Sequence, residues 1–129
     1  DESWSGLNGM HSSDNADQLM GEAGNDRLIG QSGYDVLNGG IGDDVLTGGG
    51  GRDTFVFTSG RDRVTDFTDN VDTIQINDGT LGLSLTVDDV IDMGQVIGGD
   101  AVFDFGNGNV LTLTGETDIA MLSNDLMII

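Results

Sequence analysis

Aspartates recur at nine-residue intervals in the amino-terminal half of the chain. They are Asp17, Asp26, Asp35, Asp44 and Asp53. Carboxylates held at close spacing repel one another unless a cation lies between them. Carboxylate and carbonyl oxygens, in a chain with no Cys and a single His, are ligands for a hard cation, and a flexible shell of many ligands favours Ca²⁺ over Mg²⁺.

These aspartates belong to a nonapeptide that is repeated six times between Ser3 and Val56 without insertion. The copies read SWSGLNGMH, SSDNADQLM, GEAGNDRLI, GQSGYDVLN, GGIGDDVLT and GGGGRDTFV. Position 4 is Gly in five copies and Asn in the other, the two residue types that best tolerate positive φ. Position 8 is apolar in every copy.

Each repeat has the composition of a tight turn followed by a very short strand. Six residues rich in Gly and ending in Asp make the turn, and three residues with one apolar side chain make the strand. Because a unit with one buried residue cannot fold alone, the copies must stack, and the residues at position 8 then form a continuous core. Stacking also aligns the aspartates in ladders.

The segment GGIGDDVLT at residues 39–47 fits the pattern G-G-x-G-x-D-x-U-x, and on this motif the chain resembles the RTX calcium-binding proteins. The resemblance implies an all-β fold, a right-handed parallel β-roll with two nonapeptides per turn, and Ca²⁺ bound between loops two repeats apart. In that family the earlier loop provides the carbonyls of positions 2 and 4 and its Asp. The later loop provides the carbonyls of positions 1 and 3 and its own Asp.

Carried onto this chain, the resemblance implies four sets of ligands. The first set is Ser13, Asn15 and Asp17 with Gly30, Ser32 and Asp35. The second set is Glu22, Gly24 and Asp26 with Gly39, Ile41 and Asp44. The third set is Gln31, Gly33 and Asp35 with Gly48, Gly50 and Asp53. The fourth set is Gly40, Gly42 and Asp44 with Phe57, Ser59 and Asp62, since Asp62 is in phase with a seventh, degenerate loop.

The first copy departs most from the pattern, because Trp4 replaces Gly and Asn8 replaces Asp. It is interpreted either as part of a fifth site or as a cap, in which Trp4 covers the open end of the roll or stacks on a sugar. Three to five Ca²⁺ ions are therefore expected. His11, at the solvent-facing position 9, is interpreted as a surface residue.

Composition is typical of a small exported module. The 129-residue chain contains 22 Gly, no Pro and no Cys, and its formal net charge is −19. Such a chain resists folding until cations neutralise it, which makes Ca²⁺ binding and folding one event. The charge disfavours nucleic acid as a partner, no stretch is apolar enough to span a membrane, and no signal peptide is visible. Since the chain begins at Asp1 rather than Met, it is interpreted as a fragment or a processed product.

Residues 63–129 are expected to form a carboxyl-terminal β cap on a calcium-binding roll over residues 1–62, of which 3–56 are the repeats. The segment DTFVF…DRVTDF…DTIQI resembles the one that follows the repeats in serralysin-type proteases and alginate epimerase modules. Strands are predicted over 54–57, 61–67, 72–76, 95–97, 101–105, 110–114 and 125–129, with a loop over 79–84. A motif similar to a capping box at Thr86 predicts one short helix over 87–93, Gly106-Asn107-Gly108 predicts a hairpin, and 118–122 predicts one helical turn.

Two acidic segments have alternative interpretations. Asp66, Asp69 and Asp72 form a second acidic cluster, which is either a further Ca²⁺ site or a solvated turn. The segment Asp125 to Ile129 is a buried final strand, and it is also similar to the terminal part of type I secretion signals. These last two roles are compatible, because such a signal is used unfolded and the strand packs later.

The sequence contains no H-E-x-x-H motif, no G-x-S-x-G motif and no Cys nucleophile, so the module is interpreted as non-catalytic. In the first functional hypothesis it is the calcium-driven folding and secretion module of an exported extracellular protein. Its partners would be Ca²⁺, the type I secretion machinery and an upstream domain. In the alternative it binds a polysaccharide and targets an attached enzyme, with Arg52, Arg61 and Arg63 clustered near the cap.

Overall fold

The computed structural model describes residues 3–5, 10–11, 18–31, 33–68 and 71–129, and all structural statements below concern these ranges. The strands are β1 (Ser3–Ser5), β2 (Met10–His11), β3 (Gln18–Met20), β4 (Arg27–Ile29), β5 (Val36–Asn38), β6 (Val45–Thr47), β7 (Thr54–Phe57), β8 (Arg61–Val64), β9 (Thr73–Ile76), β10 (Gly94–Ile97), β11 (Asp100–Gly106), β12 (Asn109–Leu113) and β13 (Leu126–Ile128). The helices are α1 (Asp78–Leu81), α2 (Val87–Met93) and the 3-10 helix Ile119–Asn124.

Successive repeats alternate between two sheets, so that two nonapeptides make one turn of a roll. The six-stranded sheet has the order β1-β3-β5-β7-β9-β13 and is parallel throughout. The seven-stranded sheet has the order β10-β11-β12-β8-β6-β4-β2 and is parallel from β2 to β12. Only β10, β11 and β12 pair in antiparallel fashion. The prediction of an all-β fold built on a parallel β-roll is confirmed.

The apolar residue at position 8 of the repeat forms the core of the roll. Leu19, Leu37 and Phe55 lie side by side in the six-stranded sheet, and Leu28 and Leu46 lie side by side in the seven-stranded sheet. Each of them is no more than 1 % exposed. Since the residues that flank them in the short strands are less buried, each repeat strand contributes one core side chain.

The cap continues both sheets and closes the core at the carboxyl-terminal end. β12 pairs with β8 and aligns Leu113 with Val64, whereas β13 pairs with β9 and aligns Leu126 with Ile74. α2 buries Val90 beside these strands. The boundary predicted between roll and cap, after residue 62, falls within β8. The division of the chain into a roll over residues 1–62 and a cap over residues 63–129 stays a prediction.

Local sequence signals in the cap predict its helix and hairpin. α2 occupies residues 87–93, as predicted, and its capping box is complete: the Asp89 N–H donates to Thr86 Oγ1 at 3.2 Å and the Thr86 N–H donates to Asp89 Oδ2 at 2.9 Å. The hairpin between β11 and β12 has positive φ at Asn107 (55°) and Gly108 (82°), which a tight type I′ turn requires. None of the helices in the described ranges is long and apolar enough to cross a membrane.

Two local predictions are wrong. The loop predicted over 79–84 begins as the single helical turn α1, because the Gly82 N–H donates to Asp78 O at 2.7 Å and Gly82 then ends the turn with a φ of 68°. At the amino-terminal end, Trp4 does not occupy a repeat turn. It lies in β1, which pairs with β3 and aligns Trp4 with Leu19 in a register that differs from the eighteen-residue spacing of the repeat strands.

Candidate metal centre

The repeat turns stack in two columns at opposite edges of the roll. The first column contains the segments 21–26, 39–44 and 57–62, which lead from the six-stranded to the seven-stranded sheet. The second column contains the segments 30–35 and 48–53, which lead back. The position-6 aspartates of successive turns therefore meet within one column.

A ladder of hydrogen bonds fixes one carboxylate oxygen of Asp44, Asp53 and Asp62. In the first column the Asp26 N–H donates to Asp44 Oδ1 at 2.8 Å, and the Asp44 N–H donates to Asp62 Oδ1 at 3.0 Å. In the second column the Asp35 N–H donates to Asp53 Oδ1 at 3.1 Å. Each of these bonds joins residues eighteen apart, which is the length of one turn of the roll.

The second oxygen of these carboxylates is buried without a hydrogen-bond donor. This holds among the described residues for the Oδ2 atoms of Asp26, Asp44, Asp53 and Asp62. Their side chains are between 1 % and 6 % exposed, so water does not replace the missing donor at the surface. Because a buried carboxylate oxygen without a partner is costly, the ladder fits a bound cation.

Glycine at position 1 leaves the space that such a cation needs. A Cβ placed on Gly21 would lie 2.5 Å from Asp26 Oδ2 and 2.7 Å from Gly39 O. The carboxylate and the carbonyl of two successive turns thus converge on one point. Oxygen ligands of Ca²⁺ lie at roughly 2.3–2.6 Å, so a Ca²⁺ close to this point would have both oxygens near ligand distance.

The second column repeats this arrangement. A Cβ on Gly30 would lie 2.5 Å from Asp35 Oδ2 and 2.7 Å from Gly48 O. No three His, Cys, Asp or Glu side chains converge in the described part of the chain. The predicted shell needs no such group, because backbone carbonyls supply four of the six ligands in each set.

Burial raises the pKa of the ladder aspartates. Desolvation is the largest cause in each case, and it raises the pKa of Asp44 to about 6, that of Asp53 to about 7 and that of Asp62 to about 8. The pKa of Asp26 is also raised, by burial and by the negative charge of Glu22. Without a cation, the fold therefore opposes ionisation of its own ladder.

The second predicted ligand set lies in two adjacent turns of the first column. Glu22 O accepts the Ile41 N–H at 2.8 Å, and Ile41 O accepts the Gly24 N–H at 3.0 Å. A carbonyl oxygen has two lone pairs, so these contacts leave one on each for a cation. The remaining members are Asp26, Gly39 and Asp44.

The third and fourth sets likewise lie in adjacent turns. The third, in the second column, is Gln31, Gly33 and Asp35 with Gly48, Gly50 and Asp53. The fourth, in the first column, is Gly40, Gly42 and Asp44 with Phe57, Ser59 and Asp62. Gly40 O accepts the Thr58 hydroxyl at 3.1 Å, and Phe57 O accepts the Asn77 N–H at 2.9 Å. Each of these two carbonyls retains one lone pair.

Most of the first set lies outside the described residues. Ser13, Asn15, Asp17 and Ser32 are in this group, whereas Gly30 and Asp35 lie in the second column. Asn8, on which the fifth site depends, and Asp69 of the acidic cluster are also outside the described ranges, as is the side chain of His11.

Side chains of the cap end both columns, a role that the sequence analysis missed. Asp72 accepts the Asp53 N–H through Oδ1 and the Thr68 N–H through Oδ2, both at 2.9 Å. Asp72 is 2 % exposed, so it is not part of a solvated turn. Its signal in the sequence is its spacing of nineteen residues from Asp53, which is the repeat distance with one inserted residue.

Asp66 and Asn109 also accept hydrogen bonds at the ends of the two columns of turns. Asp66 accepts the N–H groups of Gly48 and Gly49 at 2.9 and 2.7 Å. Asn109 Oδ1 accepts the Gly60 N–H at 2.9 Å across 49 residues of sequence. No local pattern reveals Asn109, because its partner becomes a neighbour only when β12 pairs with β8.

The repeats, the ladder and the glycine spaces agree with a comparison against known families. The family model of the RTX calcium-binding nonapeptide repeat (four copies) matches residues 11–45 and 29–64. Residues 11–64 therefore carry RTX calcium-binding nonapeptide repeats. The RTX repeats make this chain a calcium-binding module. A search of curated proteins returns no match.

The whole fold is similar to a solved structure, the solution structure of the AlgE6R3 subunit from the Azotobacter vinelandii mannuronan C5-epimerase. The two chains are 23 % identical, with a TM-score of 0.58, and the match covers 100 % of this chain and 78 % of the other. The similarity includes the RTX roll and its cap, and it concerns the fold alone.

Proposed function

We propose that this RTX chain is the calcium-driven folding and secretion module of an exported extracellular protein and has no catalytic activity of its own. The observation that carries the proposal is the aspartate ladder, in which the Oδ2 atoms of Asp26, Asp44, Asp53 and Asp62 are buried and have no hydrogen-bond donor among the described residues. In a chain with a net charge of −19, folding without cations confines repelling charges in a dry environment. Ca²⁺ removes both obstacles at once.

The second, third and fourth ligand sets hold one Ca²⁺ each in this proposal, and the first set holds another. When bound, Ca²⁺ supplies positive charge to two carboxylates and links two successive turns. The chain contributes the fixed Oδ1 positions, the inward carbonyls and the glycine spaces that orient these ligands. The total stays within the expected range of three to five ions.

The expected affinity is sufficient for a folding switch. Extracellular Ca²⁺ modules have dissociation constants of roughly 0.1–1 mM. At a tenfold excess of Ca²⁺ each site contributes about 1.4 kcal/mol by mass action, and four sites contribute about 5–6 kcal/mol. That equals the stability of a small domain, so the chain is unfolded where Ca²⁺ is scarce and folded where it is millimolar.

A Ca²⁺ titration of metal-depleted protein, followed by far-ultraviolet circular dichroism, tests this switch. We expect a cooperative transition from coil to strand below a few millimolar Ca²⁺, with no equivalent transition in Mg²⁺. A metal-depleted protein that is already fully folded at neutral pH and indifferent to Ca²⁺ would refute the proposal.

The secretion role is assigned to the segment Asp125 to Ile129. In the fold this segment contributes β13, with Leu126 buried and with Met127 and Ile129 about half exposed at 49 % each. The exposed positions allow the two roles to be separated. The double variant Met127→Asp and Ile129→Asp should fold in Ca²⁺ like the wild type and yet lose export by a type I system, whereas unchanged export would contradict this role.

A second candidate function is binding of an acidic polysaccharide, favoured by the position of the arginines. Arg27 and Arg63 lie in the same row of the seven-stranded sheet, on either side of Val45, and both are exposed. Arg61 is exposed on the same strand as Arg63. Three of the four basic residues of the chain therefore lie on one face. Arg52 lies in a turn of the second column rather than on a strand of this face, and its expected cluster with Arg61 and Arg63 stays a prediction.

The matched pair Arg61→Ala and Arg52→Ala tests this second function with the Ca²⁺-loaded protein. Binding of a polyuronate, measured by calorimetry, should weaken in Arg61→Ala and stay unchanged in Arg52→Ala. Equal effects of both substitutions, or no binding by the wild type, would eliminate it.

A further inference from the structure

Two residues other than glycine hold a left-handed backbone at position 2 of the repeat turns. Glu22 has a φ of 66° and Gln31 a φ of 70°. Gly40 and Gly49 occupy the same position in the next turns of the two columns, with φ values of 80° and 85°. This backbone conformation is unfavourable for a residue with a Cβ and free of that cost for glycine.

Stacking explains why some turns require glycine at this position. A Cβ on Gly40 would overlap Glu22 O, and a Cβ on Gly49 would overlap Gln31 O. Glycine is thus obligatory where an earlier turn lies directly against position 2.

Glu22 and Gln31 carry a side chain at this position, so their turns have the backbone strain that Gly40 and Gly49 avoid. The carbonyls of these residues belong to the second and third ligand sets, whereas the fourth set has Gly40 at the equivalent position. Strain of this type at a binding loop is present in the folded turn and absent from the unfolded chain. When folding and binding are coupled, it subtracts from the apparent affinity of the site.

We propose that Glu22 and Gln31 divide the Ca²⁺ sites of this chain into two classes that differ in affinity. The sites that use their carbonyls require more Ca²⁺, and the site of Gly40, Asp44 and Asp62 beside the cap fills first. This inference rests on the proposed function, because it assigns relative affinities to the same ligand sets. Glu22 also carries a negative charge that attracts Ca²⁺, so its strain has to be separated from its charge.

A calorimetric titration of Ca²⁺ into the metal-depleted full chain tests the inference. The wild type should show two binding steps. In Gln31→Gly a part of the weaker binding step should move to a Ca²⁺ concentration lower by about fivefold to thirtyfold, which is the factor that relief of one left-handed residue provides. Glu22→Gly should show the same gain relative to Glu22→Gln, because both variants lack the charge and only the former relieves the strain.

Ser84→Gly is the matched control. Ser84 has a φ of 55° in an exposed loop of the cap, outside both columns. Its substitution relieves the same kind of strain. It should lower the Ca²⁺ concentrations of both binding steps by one common factor, so that the ratio between the two concentrations stays unchanged. If Gln31→Gly leaves the ratio of the two Ca²⁺ concentrations unchanged, or if Ser84→Gly lowers that ratio equally, the inference is overturned and the proposed function is not affected. A wild type that binds no Ca²⁺ would overturn the proposed function as well.

Discussion

The N–H of Asp44 donates to Oδ1 of Asp62 at 3.0 Å, while Oδ2 of the same Asp62 carboxylate is buried and has no hydrogen-bond donor in the part of the chain that the structure describes. One oxygen of the carboxylate thus accepts the free N–H of the preceding turn, and the other oxygen is left buried without a hydrogen bond from the described residues. The same division of the two oxygens recurs along both columns. The need for a cation is consequently part of the way in which the turns stack.

Metal-depleted protein should lose structure as the pH rises. Burial raises the pKa of Asp44, Asp53 and Asp62 to about 6, 7 and 8 in the fold, whereas an aspartate in an unfolded chain titrates near about 3.9. Because the folded values exceed the unfolded ones, the contribution of these groups to stability is fully present below about pH 4. It is lost as the pH rises through about 6 to 8.

Circular dichroism of the metal-depleted protein across this range checks the prediction. The strand signal at about pH 5 should exceed that at about pH 8.5, and Ca²⁺ should restore it at the higher pH. A metal-depleted chain that gains structure on going from acid to alkaline pH would contradict the assigned direction of the pKa shifts.

Asp44→Asn should weaken two sites at once. The amide oxygen can still accept the Asp26 N–H, but the charge is removed from both the second and the fourth ligand set. We expect the Ca²⁺ midpoint of folding to rise by about tenfold or more, since ligand charge is a main determinant of affinity. Circular dichroism during Ca²⁺ titration measures the midpoint.

Asp43→Asn is the control for this change. Asp43 is exposed, and its Oδ1 accepts the Arg61 N–H at 2.9 Å, a bond that asparagine can also form. Its midpoint should change little, because Asp43 belongs to no ligand set. A similar rise in both variants would mean that net charge alone determines the response.

Adjacent glycines should differ sharply in their tolerance of alanine. A Cβ on Gly51 would overlap Gly33 O, and the φ of Gly51 is 93°. Overlap and backbone strain together should lower the free energy of unfolding of Gly51→Ala by about 2–5 kcal/mol. Gly50→Ala should change it by less than about 0.5 kcal/mol, because no heavy atom of the described residues lies within 4 Å of a Cβ there. Urea denaturation in saturating Ca²⁺ measures both, and equal losses would refute the stacking argument.

The repeat predicts the roll because each structural requirement has its own residue type. Leu37 and Leu46 provide one core contact per strand, and Gly42 and Gly51 provide the positive φ of the turns. Helix α2 is equally local, since its capping box lies within four residues of sequence. In each of these cases the determining contact is short in sequence or repeats with the period.

The features that sequence analysis missed depend on pairing between distant segments. β12 joins β8 only after a connection that includes two helices and a hairpin, and Asn109 meets Gly60 as a result. The position of Trp4 is a related case, because its strand pairs with Leu19 in a register that differs from the repeat spacing. In both instances competition among possible partners, and not local preference, determines the outcome.

Crystallography of the Ca²⁺-loaded protein, with anomalous scattering at a long wavelength, decides whether the aspartate ladder binds Ca²⁺. We expect anomalous peaks between successive turns of both columns, each in contact with two ladder carboxylates, including one between Asp26 and Asp44 and one between Asp44 and Asp62. Ordered ladder aspartates with no anomalous peak beside their Oδ2 atoms would contradict it.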